Sequence, residues 1–368
     1  MLNEPINNRY RADGKESFDL TDVQVAARDR IMVKLRNGRY RTEAVDCPLC
    51  STKSCRNLSE KDTYGLPVNV VACTNCGLVF NNPRITAACL TPFYSEDYRE
   101  LDRVLPAMES YFELENKKGR RIFQFLQEGG LLSHLKGKLI IDIGCGAGGV
   151  LEYFRQQGFE VLGCDLVPSN VEYGIREKQL DLHYGSLIEI EQIAAQRCSE
   201  IGLIIYEQVF EHLPNPAAEL ESLHRVLRPE SLLFIGVPGL RNIDEQYGSD
   251  FLRYLQLPHL VHFDLEHLVA LAESNGFEFL KGNEIAQAVF KKTTQCIVSR
   301  HTSYESTANF IAALERRRKK RFVSMLWTQF PHNLTRQIRR AIENLPLPNG
   351  FKTKLVRALR RVKRLAHF

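Results

Sequence analysis

The sequence predicts an α/β protein whose core is a parallel sheet with helices on both faces. Three observations predict it. Residues Leu139 to Asp165 read as strand, glycine-rich turn, helix and second strand, with an acid at the end. Two more apolar runs, Ile201 to Tyr206 and Leu232 to Val237, read as buried strands. Between them Leu220, Leu223 and Leu227 share one helical face. Ahead of the sheet stand two Cys-x-x-Cys pairs, the spacing of a small metal-bound module in a chain without secretory signals.

The first unit is the most informative. Leu139 to Ile143 is rich in β-branched residues, as a strand buried on both faces requires. Gly144, Gly146, Gly148 and Gly149 let the backbone turn tightly and approach a ligand. Val150 to Gln157 turns helical and Gly158 ends that helix. Asp165 then closes the second strand, at the sheet edge where open α/β folds hold ligands, and suits the hydroxyls of a ribose. The glycines satisfy two patterns. Gly144-x-Gly146-x-x-Gly149 is a dinucleotide fingerprint. Asp142-x-Gly144-x-Gly146-x-Gly148 resembles motif I of the class I S-adenosylmethionine (SAM) methyltransferases. Asp142 discriminates between them, because a carboxylate before the turn attracts a cationic amino-acid moiety and repels a pyrophosphate.

Cys47 and Cys50 precede Cys73 and Cys76 by a gap of 22 residues, 51 to 72. Four thiolates close a tetrahedral zinc site, so Cys55 and Cys89 are bystanders, and the long gap implies an insertion between the knuckles. The chain continues as CGLVFNNPR and FYSEDY, and after the predicted strand Ile201 to Tyr206 it reads EQVFEHLPNP. Together these resemble bacterial methyltransferases of glycan and natural-product pathways, and are similar to sugar C-methyltransferases with an N-terminal zinc module. The resemblance spans about residues 45 to 300.

That resemblance implies a Rossmann-like, seven-stranded methyltransferase sheet with helices on both faces, a small zinc ribbon and SAM as cofactor. Asp142 and the turn Gly144, Cys145, Gly146 and Gly148 would hold the amino-acid end of SAM. Asp165, with Leu166 beside it, would hold the ribose. Ser186 and Leu187 would flank the adenine, although the family commonly has an acid where Ser186 stands. Glu207, Gln208 and His212 would line the floor. The segment PHLVHF contributes His259 and His262 as candidate bases, with a backbone-bonded histidine at a loop corner the bland reading of each. The implied acceptor is a sugar, glycan or related small molecule, lipid-linked ones included, methylated at a hydroxyl or carbon. An RNA methyltransferase and a non-catalytic SAM- and zinc-binding protein are the alternatives.

The remaining elements follow the same rules. Residues 1–44 are polar, with one helical stretch from Thr21 to Leu35. Met108 to Glu128 is a helix stopped by Gly129 and Gly130, with Tyr111 and Phe112 read as core. Asn215 and Asp264 cap helices. Leu240 to Pro258 is a loop of the length of a lid. The last two strands fall at Phe277 to Ile285 and Thr294 to Ser299, forming an antiparallel pair. The expected domains are a polar segment 1–44, a zinc module 45–100, the SAM domain 101–300 and a basic helical extension 301–368.

Composition bounds the setting. Hydrophobic content of 44% and charged content of 25% are those of a globular protein. No apolar run is long enough to span a bilayer, and the first residues lack a signal-peptide core, so the expected location is cytoplasmic. Charge is unevenly placed. Residues 316–368 hold 16 Lys and Arg against one acid, Glu343, while the rest holds 33 basic and 43 acidic residues. Basic residues interleaved with Leu355, Leu359, Val362 and Leu365 suit an anionic membrane surface or docking on the acidic body of the same or a second subunit, and both better than nucleic acid.

Overall fold

The computed structural model describes residues 4–102, 107–195, 200–294 and 302–329. The chain divides into two compact units. One comprises Met1–Asn242 with Leu252–Ala308, the other Ile243–Phe251 with Asn309–Phe368.

The first unit opens with a 3-10 turn, Asn8–Tyr10, and its first α-helix, Asp22–Arg36, is started by a capping box between Thr21 and Gln24. Short strands β1 (Thr42–Glu43) and β5 (Arg84–Ile85) pair with each other. Between them lie β2 (Cys55–Lys61), β3 (Pro67–Cys73) and β4 (Val79–Asn81). The insertion between the knuckles is therefore the β2–β3 hairpin. The polar N-terminal segment is folded onto it: Lys61 Nζ, almost fully buried, meets Asp13 Oδ1 at 2.5 Å, and Ser17 donates its amide to Thr63.

The large sheet contains β6 (Leu139–Ile143), β7 (Glu160–Asp165), β8 (Leu182–Tyr184), β9 (Ile201–Glu207) and β10 (Leu232–Gly236). After β11 (Val261–His262) come β12 (Phe277–Asn283) and β13 (Gln287–Lys292). The order is β12-β13-β10-β9-β6-β7-β8, seven strands, with β13 the one antiparallel to both neighbours. This is a mixed α/β, Rossmann-like sheet of seven strands, the architecture that the resemblance implies. Winding outward from β6 in both directions puts the switch point between β6 and β9, where the carboxyl ends leave a crevice.

The final strand needs correction. The strand that completes the sheet lies at Gln287–Lys292, and the expected strand Thr294 to Ser299 falls, beyond Thr294, outside the described residues. The chain reverses early because Asn283 Oδ1 accepts the Gln287 amide while Ala286 adopts φ +62°. A non-glycine residue rarely takes that conformation, so the turn carried no sequence signature.

Helix Met108–Glu128 lies against helix Gly149–Gln156 at backbone distance. A β-carbon on Gly149 would stand 2.5 Å from the Phe112 carbonyl oxygen, and one on Gly119 would stand 2.7 Å from that of Val150. Phe112, Ile122 and Leu126 join Val150, Leu151 and Phe154 over Ile140, Leu203, Ile205 and Phe234 in one apolar core. Burying each such side chain stabilises the fold by roughly 1.5–3 kcal/mol.

A second sheet has the order β11-β4-β3-β2. Val261 pairs with Phe80 and His262 with Val79, so the loop after β10 supplies the edge strand of the cysteine module.

Candidate active site

Gly144, Gly146 and Gly148 all have positive φ, at 73°, 56° and 84°. Glycine is required here by both conformation and space. A β-carbon on Gly144 would lie 2.4 Å from Val209 Cγ2, and one on Gly146 would lie 2.5 Å from the Tyr111 hydroxyl. Asp165 ties the turn to β7, accepting the Gly146 amide at 2.9 Å on one carboxylate oxygen and the Val167 amide at 2.8 Å on the other. These bonds orient the carboxylate at the mouth of the glycine turn.

Two of the predicted cofactor contacts have side chains turned inward. Cys145 is buried in the core, with its sulfur against Gly163, and its amide donates to the Cys164 carbonyl. Leu187 is buried together with Ile190 and Ala194, the inward stripe of helix Leu187–Ala195. Their neighbours face outward: Leu166, Tyr184 and Ile188 are exposed apolar side chains at the carboxyl ends of β7 and β8. Ser186 donates its hydroxyl and its amide to Glu189 Oε2, both at 2.7 Å, at the start of that helix.

The crevice is lined by buried carboxyl groups. Asp142 is buried, and its carboxyl is held well above its ordinary value by burial and by Glu115, Glu207 and Asp165. Burial pushes Glu207 up to about 7, and its Oε2 has no hydrogen-bond partner. That oxygen sits over Gly236, where a β-carbon would be 2.1 Å away. Glu211 is pushed by burial up to about 8, with neither carboxylate oxygen partnered. Unpartnered buried carboxylates are costly, and a bound cation removes that cost. Gln208, at φ +61°, is exposed and donates its amide to the Gly236 carbonyl at 2.7 Å.

At the end of β9 three histidines converge. His212 and His259 have ring centroids 4.9 Å apart, and His259 and His262 6.3 Å. Burial lowers the pKa of His212 to about 4 and of His262 to about 3, and that of His259 well below its ordinary value, so all three are neutral. The tautomer of His262 follows from its surroundings. Asn81 donates Nδ2 to the Leu257 carbonyl at 3.1 Å, so its Oδ1 faces His262 Nε2 at 3.2 Å and accepts from it. His262 Nδ1 is therefore a bare lone pair, buried and without a partner.

Three contributors were missed in the sequence. Tyr94 and Tyr98, within FYSEDY, lie on a π-helical turn, Tyr94–Tyr98, a form often found at functional sites. Tyr94 Oη lies 2.7 Å from His212 Nδ1 and its ring packs edge-on to Tyr98. Buried Asp97 anchors this turn, accepting from Tyr40 and Lys34. The third is Asn81, which only the pairing of β4 with β11 brings near a histidine.

The four cysteines cluster as predicted. Cys47 and Cys76 have sulfurs 3.6 Å apart, Cys50 and Cys73 3.5 Å, and Cys50 and Cys76 3.6 Å. Tetrahedral ligands at about 2.3 Å from one ion would be separated by about 3.8 Å. The knuckle is linked to the sheet domain: His267 donates Nε2–H to the Cys76 carbonyl at 2.9 Å and Nδ1–H to Asp264 Oδ1 at 2.6 Å. Both partners are acceptors, so His267 is an imidazolium, and bonding to Asp264 raises its pKa against the opposing effect of burial.

The sequence from 114 to 281 matches the family described as methyltransferase domain. This chain contains a SAM-dependent methyltransferase domain. The matched stretch includes the glycine turn, Asp165, Glu207 and the three histidines. A ubiquinone biosynthesis O-methyltransferase of Paraburkholderia phytofirmans is 25% identical over 195 residues, 50% of this chain and 81% of that protein. The protein of the same name from Acinetobacter baylyi is 28% identical over 104 residues, 27% of this chain. The chain spans 43% of that relative's length. Human N-acetylserotonin methyltransferase in complex with SAM is 20% identical, with a TM-score of 0.39, over 51% of this chain and 55% of its own.

Proposed function

We propose that this methyltransferase transfers a methyl group from SAM to a hydroxyl of a sugar, glycan or related small-molecule acceptor. The observation that carries the reading is the pairing of two unlike surfaces at one sheet edge. A crevice lined by the buried carboxyl groups of Asp142 and Glu207, which a cationic ligand would ionise, adjoins a cluster of neutral imidazoles. The first suits a cationic cofactor, and the second suits removal of an acceptor's proton.

SAM supplies an electrophilic methyl on a positively charged sulfur. The chain supplies the rest. Asp142 and Glu207 balance positive charge, the glycine turn admits close approach, and Asp165 accepts from ribose hydroxyls. Leu166, Tyr184 and Ile188 offer apolar contact to an aromatic base. His262 Nδ1 takes the acceptor's proton as the oxygen attacks. The O-methyltransferase names of the curated relatives favour oxygen over carbon. In the same reading Cys47, Cys50, Cys73 and Cys76 hold a structural zinc ion, and residues 316–368 bind an anionic membrane surface from the cytoplasmic side.

The test is transfer of labelled methyl from SAM into fractionated lysate of a strain lacking the gene. Label in the glycan or lipid fraction, resistant to mild base as an ether is, supports the proposal. Label in RNA or protein overturns the acceptor class. No label in any fraction, with SAM binding intact by calorimetry, overturns the enzymatic reading in favour of a binding protein.

A further inference from the structure

We propose that Glu211, His212 and His259 form a second metal site, distinct from the four cysteines, which holds a divalent first-row cation through nitrogen and oxygen. Their ligand atoms all lie within 4.8 Å of one another. Glu211 Oε1 and His212 Nε2 are 3.6 Å apart, near the edge of about 3.4 Å between tetrahedral ligands bonded at 2.0–2.1 Å.

Hydrogen bonding argues for the ion independently of spacing. The Pro258 carbonyl lies 2.9 Å from His212 Nδ1 and can only accept, so Nδ1 carries the hydrogen. His212 Nε2 is then a lone pair directed toward Glu211. Both oxygens of Glu211 are buried without any hydrogen-bond partner. A lone pair and a carboxyl group face each other across a gap in which a positive centre would satisfy both. An imidazole whose far nitrogen donates to a backbone carbonyl is also the usual arrangement of a metal ligand. One carboxylate and two imidazoles are a ligand set used by catalytic zinc, leaving a position for the acceptor.

The role of the ion rests on the methyl-transfer reading, whereas its presence does not. The acceptor hydroxyl binds the open position and becomes more acidic. Its O–H bond breaks, the proton passes to His262 Nδ1, and the freed pair forms the bond from oxygen to methyl carbon. The S–CH₃ bond breaks with its electrons retained by sulfur, which becomes a neutral thioether.

The experiment is metal counting after equilibrium dialysis of the full chain against cobalt(II), with visible absorption and SAM calorimetry on the same samples. The wild type should bind two equivalents, one showing thiolate charge-transfer bands and one lacking them. Glu211→Gln and His259→Gln should each lose the second while keeping the thiolate bands, which report an intact fold. One equivalent in the wild type, or two retained in both variants, overturns the proposal. Where a variant fails to fold, the wild-type count decides. Two equivalents without SAM binding would overturn the proposed function and leave this site standing.

Discussion

A β-carbon at Gly144 meets two obstacles at once, a φ of +73° and the side chain of Val209 2.4 Å away. Left-handed backbone costs about 1–2 kcal/mol for a non-glycine residue, and overpacking about 1–3 kcal/mol. Gly144→Ala should therefore lose about 2–5 kcal/mol in urea unfolding, with SAM affinity reduced because Val209 carries the loop after β9. An unchanged midpoint would mean that this loop moves freely. Glu207 governs a pH response. Its pKa, about 7 in the fold and 4.5 as a free side chain, means that the folded state favours the protonated carboxyl. The associated stability is fully present below pH 4.5 and lost as pH rises through 7, a difference of about 3 kcal/mol. Glu207→Gln should flatten the fall in unfolding free energy across that window. Equal slopes for variant and wild type would contradict the burial argument.

The cysteine module and the sheet domain share the strand pair β4–β11, so one element positions the other's chemistry. Asn81→Ala should leave His262 Nε2–H without its acceptor, and that bond holds the reactive tautomer. An unsatisfied buried donor costs about 1–3 kcal/mol, or about 5–150-fold in rate if borne by the transition state. The expected outcome is a fall in kcat of that size with SAM affinity unchanged; loss of both would indicate only general destabilisation. Chelation should act along the same route, because the Cys76 carbonyl binds His267 and His267 binds Asp264, the cap of helix Leu265–Ser274. Stripped protein should lose turnover before it loses SAM binding, followed by metal release and calorimetry. What could be read in advance divides along the same line. The glycine turn, the helix caps at Asn215 and Asp264 and the cysteine pairs are local patterns, whose backbone demands lie within a few residues. The partners of His262 are not local. A two-residue strand has no periodicity to detect, and Asn81 lies 181 positions from the histidine that it orients. The inward side chains of Cys145 and Leu187 were not legible for a related reason, since a motif gives chain position while the helix and turn geometry decide which side chain faces inward.

Over the whole chain, charge separates sharply, with an excess of 15 positive charges after residue 315 and an excess of 10 negative charges before it. The helix Tyr304–Gln329 shows how the first part of the basic run is used. Arg317 pairs with Asp244 at 2.6 Å, and Arg321 donates to the Asp244 carbonyl at 3.1 Å, so these two brace the second compact unit internally. Arg316, Lys319 and Lys320 are exposed, and spacings of three and four put them on one helical face. No described helix is long and apolar enough to cross a membrane, which makes surface attraction the mode of contact to test. Each such cation contributes about 1 kcal/mol near an anionic bilayer. Replacing all three with Gln should weaken binding to vesicles containing anionic lipid by about 100-fold, read by co-sedimentation. Raising the salt should mimic the substitution, because screening shortens the reach of exposed charges. SAM affinity should not change, since none of the three residues belongs to the crevice. Equal binding of wild type and variant would assign the attraction to residues beyond this face. Binding to uncharged vesicles at the same strength would remove charge from the account and leave apolar insertion in its place.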